Sequence, residues 1–342
     1  MQQTTNKPPG IYPWIVAVTG MLALFLSNGM TATGITIFDP ALLDEFGWSR
    51  GDFKFRDLLN LGVVALIAPF VGVLIDRLNP KWLLMTGFVL LMLGYFGYSG
   101  LRNSATTPVL ELIAVVTILG LGFILVIALQ VLAPKLARRI SVLTMLVLAG
   151  LAYWLYVREW QGVALKQVYL IHLLFALAMS TAGSMVVIFL VSSWFVRHRG
   201  LAIGIALVGT SLGSALLPVF NPPLIEAYGW RQTFIYNAFM PLTLLLFVWL
   251  FIKGTPRHAG TIALGQGEAI ADLKQHGLTF AEARRTRTFW IIAISGFLTY
   301  YAIFSIVQHT VLHANKTFGY SLAAAGRVLF IFSMVAMAAK LL

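Results

Sequence analysis

Six polar side chains fall inside or at the ends of long apolar runs. They are Asn28, Arg56, His172, His309, its neighbour His313, and Lys340. A cation surrounded by hydrocarbon attracts anions strongly, because little water competes for it. Lys340 is therefore a candidate anion-binding group. An imidazole titrates near neutrality, so His172 and His309 are candidates for moving a proton; the plainer reading is an interfacial histidine bonded to a carbonyl or water. Asn28, with Ser27, Thr31 and Thr33 beside it, either lines a polar cavity or bonds to a neighbouring helix. Arg56 has local partners: Asp52 four residues before it, with Lys54 and Asp57 three apart, on a helix that Ser49 and Asp52 can cap. This gives either a solvated helix entry or a vestibule that draws anions.

These groups matter only if the apolar runs lie in lipid, and composition says they do. The chain has 342 residues, is 59% hydrophobic and 11% charged, and has a mean hydropathy of +0.86. A water-soluble chain of this size needs more polar surface. The excess collects into stretches of about 20 residues, the length that crosses a bilayer core as a helix. Ten candidate spans follow: 14–35, 57–75, 82–101, 109–133, 140–157, 168–193, 200–220, 233–252, 289–312 and 322–342. The expected fold class is an all-α membrane bundle.

The net charge of +12 is placed in short loops. With the N-terminus in the cytoplasm, fourteen Lys and Arg residues fall inside and nine outside, Lys340 lying near an inner end. This is the orientation bias of membrane proteins rather than a nucleic-acid footprint. The chain has no cysteine, which excludes disulfides and thiolate metal sites. His309 and His313 lack the acidic partner of HExxH, so no metal is expected. No GxSxG or paired intramembrane carboxylates point to an enzyme, and no cofactor is implied.

Two motifs stand at inner loops. GVLIDRLNPK (72–81) resembles the G-x-x-x-D-R-x-G-R-K loop of the major facilitator superfamily, keeping Gly72, Asp76, Arg77 and Lys81 and replacing the second glycine by Asn79. A small residue at Gly72 is expected to admit a neighbouring helix, and Asn79 to tolerate a left-handed turn. The resemblance implies a latch between two halves on the cytoplasmic side. FVRHRGLAIGIALVGTSLG (195–213) resembles the fifth-helix signature of the oxalate–formate antiporter and monocarboxylate porter types, with Arg197, Arg199, Gly204, Gly209 and Gly213 in place. Gly209 and Gly213 form a small-xxx-small pair that suits tight helix packing.

The resemblance implies a bundle of two six-helix halves about a central cavity and alternating access driven by a solute or proton gradient. Residues 1–252 then form the first half, with an extra hairpin at 102–167. Residues 253–288 are a cytoplasmic linker with a short surface helix in LTFAEARRTR, 278–287. Residues 289–342 begin a second half that is incomplete, so the sequence reads as C-terminally truncated. The expected partners are lipid and a small organic anion, in an inner membrane. Lys340 matches the position of a substrate-binding arginine in the porters; Ala336 stands where they carry an aspartate. The competing expectation is a non-transporting relic or a helix partner for another membrane protein.

Overall fold

A computed structural model describes residues 10–102, 164–266 and 280–341. The candidate spans 109–133 and 140–157 lie outside the described residues, as does most of the inserted hairpin. What is described is helical throughout, apart from one isolated bridge between Phe195 and Leu264.

The first span is longer than its hydropathy predicts. It runs as α1 (Tyr12–Asn28), a π-helical turn (Gly29–Thr33), a 3-10 turn (Gly34–Phe38) and α2 (Asp39–Phe46), 35 residues in all. The expected end at residue 35 fails because the chain does not leave the bundle there. Pro40 sits in the first turn of α2, where its missing N–H costs nothing. Side chains serve the irregular turns: Tyr95 donates to the Met30 carbonyl at 2.7 Å and Thr36 to that of Thr33 at 2.7 Å.

Ser49 caps α3 (Arg50–Arg77) by accepting from the Asp52 amide at 3.1 Å. Asn79 caps α4 (Pro80–Ser99) by accepting from the Lys81 amide at 3.0 Å. Asn79 is extended, with φ −67° and ψ 123°, so the left-handed turn expected of it is absent; its side chain is used as a cap instead. The next span is α5 (Ala164–Ala182) continued by α6 (Ser184–Trp194), broken at Gly183.

Residues Arg199–Phe251 are helical for 53 residues, α7. A straight helix of that length would be about 80 Å long, far more than the roughly 30 Å core of a bilayer. The chain reverses at Gly229, whose φ of 77° and ψ of 160° are non-helical. The reversal is fixed by packing: Asn237 donates to Asn221 Oδ1 at 2.9 Å, two residues equidistant from Gly229. The two predicted spans are therefore two antiparallel legs without the loop expected at 221–232. After it, α8 (Phe280–Ala283) is one helical turn within the stretch 278–287 where a short surface helix is expected. The chain ends with α9 (Arg287–Phe318) and α10 (Leu322–Leu341).

Among the described residues, six segments are long and apolar enough to cross a membrane, one of them the doubled α7. α3 carries Asp52, Lys54, Arg56, Asp57 and Asn60 in its first turns and is apolar from Leu61 to Ile75.

Close packing is concentrated where α7 meets α1. A Cβ added to Gly209 would lie 1.9 Å from the Met21 carbonyl oxygen, and one on Gly213 would lie 2.3 Å from that of Phe25. Among the described residues, nothing lies within 4 Å of where a Cβ on Gly72 would be.

Candidate functional site

A cavity of about 630 Å³ lies where the N-terminal helices meet α9 and α10. α1 and the π turn bring Asn28 and Thr33 to it, α5 and α6 bring Ser180 and Ser184, and α7 brings Thr210, Ser211 and Ser214. From the other side come Thr299, Tyr300 and Phe304 of α9, and Phe332, Ser333 and Lys340 of α10. The residues between these, such as Leu61, Val64 and Met179, are apolar. Among the described lining residues the only charged side chain is Lys340.

The ammonium of Lys340 donates to Thr210 Oγ1 at 2.5 Å and Ser211 Oγ at 2.7 Å. Those hydroxyls sit eleven and twelve residues into α7, about 17 Å along the helix and so near the middle of a bilayer core. Neither hydroxyl carries a compensating negative charge, and an ammonium has three donors, so two hydroxyl contacts leave one donor for an incoming oxygen anion. Asn28 is half-buried; its amide nitrogen donates to Ser27 Oγ at 3.4 Å, which leaves Oδ1 and the second N–H to the cavity.

A second polar centre lies deeper, toward the end of the bundle that carries Arg231. Arg56 is fully buried, not in a solvated helix entry as one reading had it. Its guanidinium binds the Asp39 carboxylate, meets Asp57 Oδ1 at 3.3 Å, donates to the Tyr98 hydroxyl at 3.3 Å and stacks 3.8 Å over the Phe53 ring. Lys54 joins the same carboxylates, 2.6 Å from Asp39 Oδ2 and 3.3 Å from Asp57 Oδ2. His172 is also fully buried rather than interfacial. The Tyr98 oxygen accepts from Arg56, so its single proton goes to His172 Nε2, 2.7 Å away. That leaves Nδ1 as the protonated nitrogen, facing Asp57 Oδ1 at 3.8 Å. Two carboxylates and two cations balance, which is the condition for burying charge at tolerable cost.

Asp39 was not foreseen. It follows Phe38 at the end of an apolar run, and only the continuation of the first helix to Phe46 brings it to Arg56. Gln308 was likewise missed; it is buried on the face of α9 toward the bundle. His309 and His313 are exposed on other faces and do not line the cavity, His313 packing its ring on Phe318.

The motif residues collect at the opposite end. Lys81 donates to the Trp249 carbonyl at 2.8 Å, and Arg77 is exposed. A Cβ on Gly254 would fall 1.6 Å from Asn79 Oδ1, so the linker runs directly over this loop. Nothing is described of the Asp76 side chain. The linker then pairs with the basic loop: Leu264 donates to the Trp194 carbonyl at 2.8 Å and accepts from Val196 and Arg197 at 2.9 and 3.0 Å. Arg199 donates to the Phe195 carbonyl at 2.9 Å. His198 is left-handed, with φ 60°, at the sharp entry to α7. Gly204 faces α10 loosely; the nearest atom to its Cβ position is the Lys340 carbonyl at 3.8 Å.

The sequence profile of the Major Facilitator Superfamily matches residues 105–342. The chain belongs to that superfamily. Its membership accounts for the multi-pass helical architecture. Among curated relatives, a gallate transporter of Pseudomonas putida is 23% identical over 285 residues, 82% of this chain and 49% of its own length. A riboflavin transporter of Trypanosoma cruzi is 49% identical over 49 residues, 14% of this chain and 10% of its own. An MFS-type transporter of Gibberella moniliformis is 39% identical over 77 residues, 21% of this chain and 19% of its own. The chain thus spans about half the length, or less, of the curated relatives it matches. No solved structure matches it.

Proposed function

We propose that this superfamily member serves secondary active transport of a small organic anion, a mono- or dicarboxylate, by alternating access to the central cavity. The observation that carries the reading is Lys340: one cation, hydroxyl-supported, in a cavity otherwise lined by apolar and neutral polar groups. A cavity of about 630 Å³ is within the usual range for small-molecule sites of roughly 300–1,000 Å³. The gallate transporter, whose alignment covers most of this chain, is named for an aromatic carboxylate. Tyr300, Phe304 and Phe332 would face such a ring. In this reading Asn28, Thr33, Ser180 and Ser214 orient the rest of the solute. The end bearing Arg77, Arg197 and Arg199 faces the cytoplasm of an inner membrane, as the loop charges require. The loop at Gly72–Lys81 is then a cytoplasmic latch acting through Lys81 and Asn79.

The test is uptake of labelled lactate, oxalate, formate and gallate into vesicles carrying the protein, at two pH values, with riboflavin as the uncharged comparator. Wild type should accumulate at least one carboxylate, and Lys340→Met should abolish that accumulation. Uptake that is indifferent to every organic anion retires the substrate class. A relic or helix partner would give no uptake of any solute.

A further inference from the structure

We propose that Lys54 is a gating residue: the buried ion cluster around it is the device that holds the cavity closed at the Arg231 end. This rests on the transport reading above but makes its own claim about which group fastens the two sets of helices. The four charged groups of the cluster do not have equal reach. Asp39, Arg56 and Asp57 find their partners within α2, α3, α4 and α5, all N-terminal helices, and Arg56 is fixed by Asp39, Asp57, Tyr98 and Phe53 together. Lys54 alone among them extends to the other side, donating to the backbone carbonyl of Gln308 on α9 at 2.7 Å.

The burial of α9 follows this contact. Val307, Gln308, Val311, Leu312 and Ala314 are buried, whereas most of the helix from Arg287 to Ile306 is exposed. α9 therefore meets the N-terminal helices at its Arg231 end and stands away along the rest. A space of about 10 Å³ lies directly under the contact, bounded by Asp57, Asn60 and Gln308. Asp57 Oδ2 meets the Lys54 ammonium at 3.3 Å, and Gln308 Oε1 has no hydrogen bond among the described residues, so one water donating to both would complete the seal. The cavity that holds Lys340 begins at the same layer, through Ala32, Leu61, Met179 and Phe304. One exposed ion pair, Lys316 to Asp44, lies beyond it at the rim.

Lysine suits this task where arginine would not. Its ammonium is a point charge on a flexible stem and can leave a carbonyl without dismantling a planar, multidentate pair. Releasing Gln308 leaves Lys54 on Asp39 and Asp57, so the cluster stays neutral while the two sets of helices part.

The chain contains no cysteine, so a single introduced thiol reports accessibility directly. Ser180→Cys, in the cavity wall, is labelled in membranes by an impermeant maleimide applied from one side at a time. Lys54→Met alone leaves a buried negative charge and risks misfolding, so the decisive variant is Lys54→Met with Asp57→Asn, which keeps the cluster neutral and removes only the strap. Its labelling from the Arg231 side should rise by about tenfold, the bias that one charge-assisted hydrogen bond gives a two-state equilibrium. Arg56→Met with Asp57→Asn, equally neutral, keeps Lys54 and its strap and should leave the rate as in the parent. A Lys54 double variant that stays folded, judged by thermal unfolding, and labels no faster than the parent overturns the proposal. So does an equal rise in the Arg56 double variant. If labelling responds as expected while no solute is taken up, the gate stands and the substrate reading fails.

Discussion

Replacing Gly209 by alanine is the sharpest test of how this bundle is held together. The added Cβ would lie 1.9 Å from the Met21 carbonyl oxygen. A carbon–oxygen contact settles near 3.3 Å, so the two helices must separate by about 1.4 Å at that point. They cannot do so locally, since Gly213 packs one turn further on, its Cβ position 2.8 Å from the Gly29 Cα. Overpacking of this kind costs about 1–3 kcal/mol. Alanine also gains about 1 kcal/mol over glycine in helix propensity, which acts against the clash. Gly204 provides the control on the same helix: its Cβ position is 3.8 Å from the nearest atom, so alanine there should keep the propensity gain. The assay is reversible unfolding in detergent micelles. Gly204→Ala should be equal to or more stable than the parent, and Gly209→Ala less stable than Gly204→Ala by about 1–3 kcal/mol. If the two variants unfold together, the close approach of α1 and α7 is not what these glycines provide.

Arg56→Met should destabilise the fold by about 3–5 kcal/mol, because Asp39 and Asp57 keep one cation between them; pairing it with Asp39→Asn should restore most of the loss in the same unfolding assay. Tyr12→Phe removes the bonds to the Phe251 carbonyl, 2.8 Å, and from the Lys253 amide, 2.7 Å, and should cost about 1–2 kcal/mol, read as a lower midpoint of unfolding. Lys340→Met should weaken carboxylate binding at least tenfold by isothermal titration, the loss of a charge-assisted bond of about 1.5–3 kcal/mol, while Lys340→Arg retains part of it.

Much of the architecture was legible because lipid imposes long apolar runs. Eight of the ten candidate spans fall on described helices, and Ser49 with Asp52 announced the start of α3. The tight face of Gly209 and Gly213 followed from spacing alone. What escaped the reading has specific causes. Hydropathy ends a span at the first polar residues, so the continuation through Thr33, Thr36 and Asp39 was lost, and the ion cluster with it. Sequence proximity favoured Asp52 as the partner of Arg56, yet Asp52 is exposed at the cap and the guanidinium turns inward to Asp39 from another helix. A glycine such as Gly72 looks the same in sequence whether or not anything packs on it. The i, i+4 spacing of His309 and His313 located a helix face without telling which way it points; the buried polar residue of that turn is Gln308.

The reversal at Gly229 has a mechanical corollary. With no slack between its legs and the Asn221–Asn237 clasp inside it, the helical pair must travel as one piece. Tyr12 ties the far end of that piece to the start of the chain, and Leu264 stitches the segment after it to the loop at Phe195. Any rotation of α9 and α10 against the remaining helices must therefore leave these ties intact.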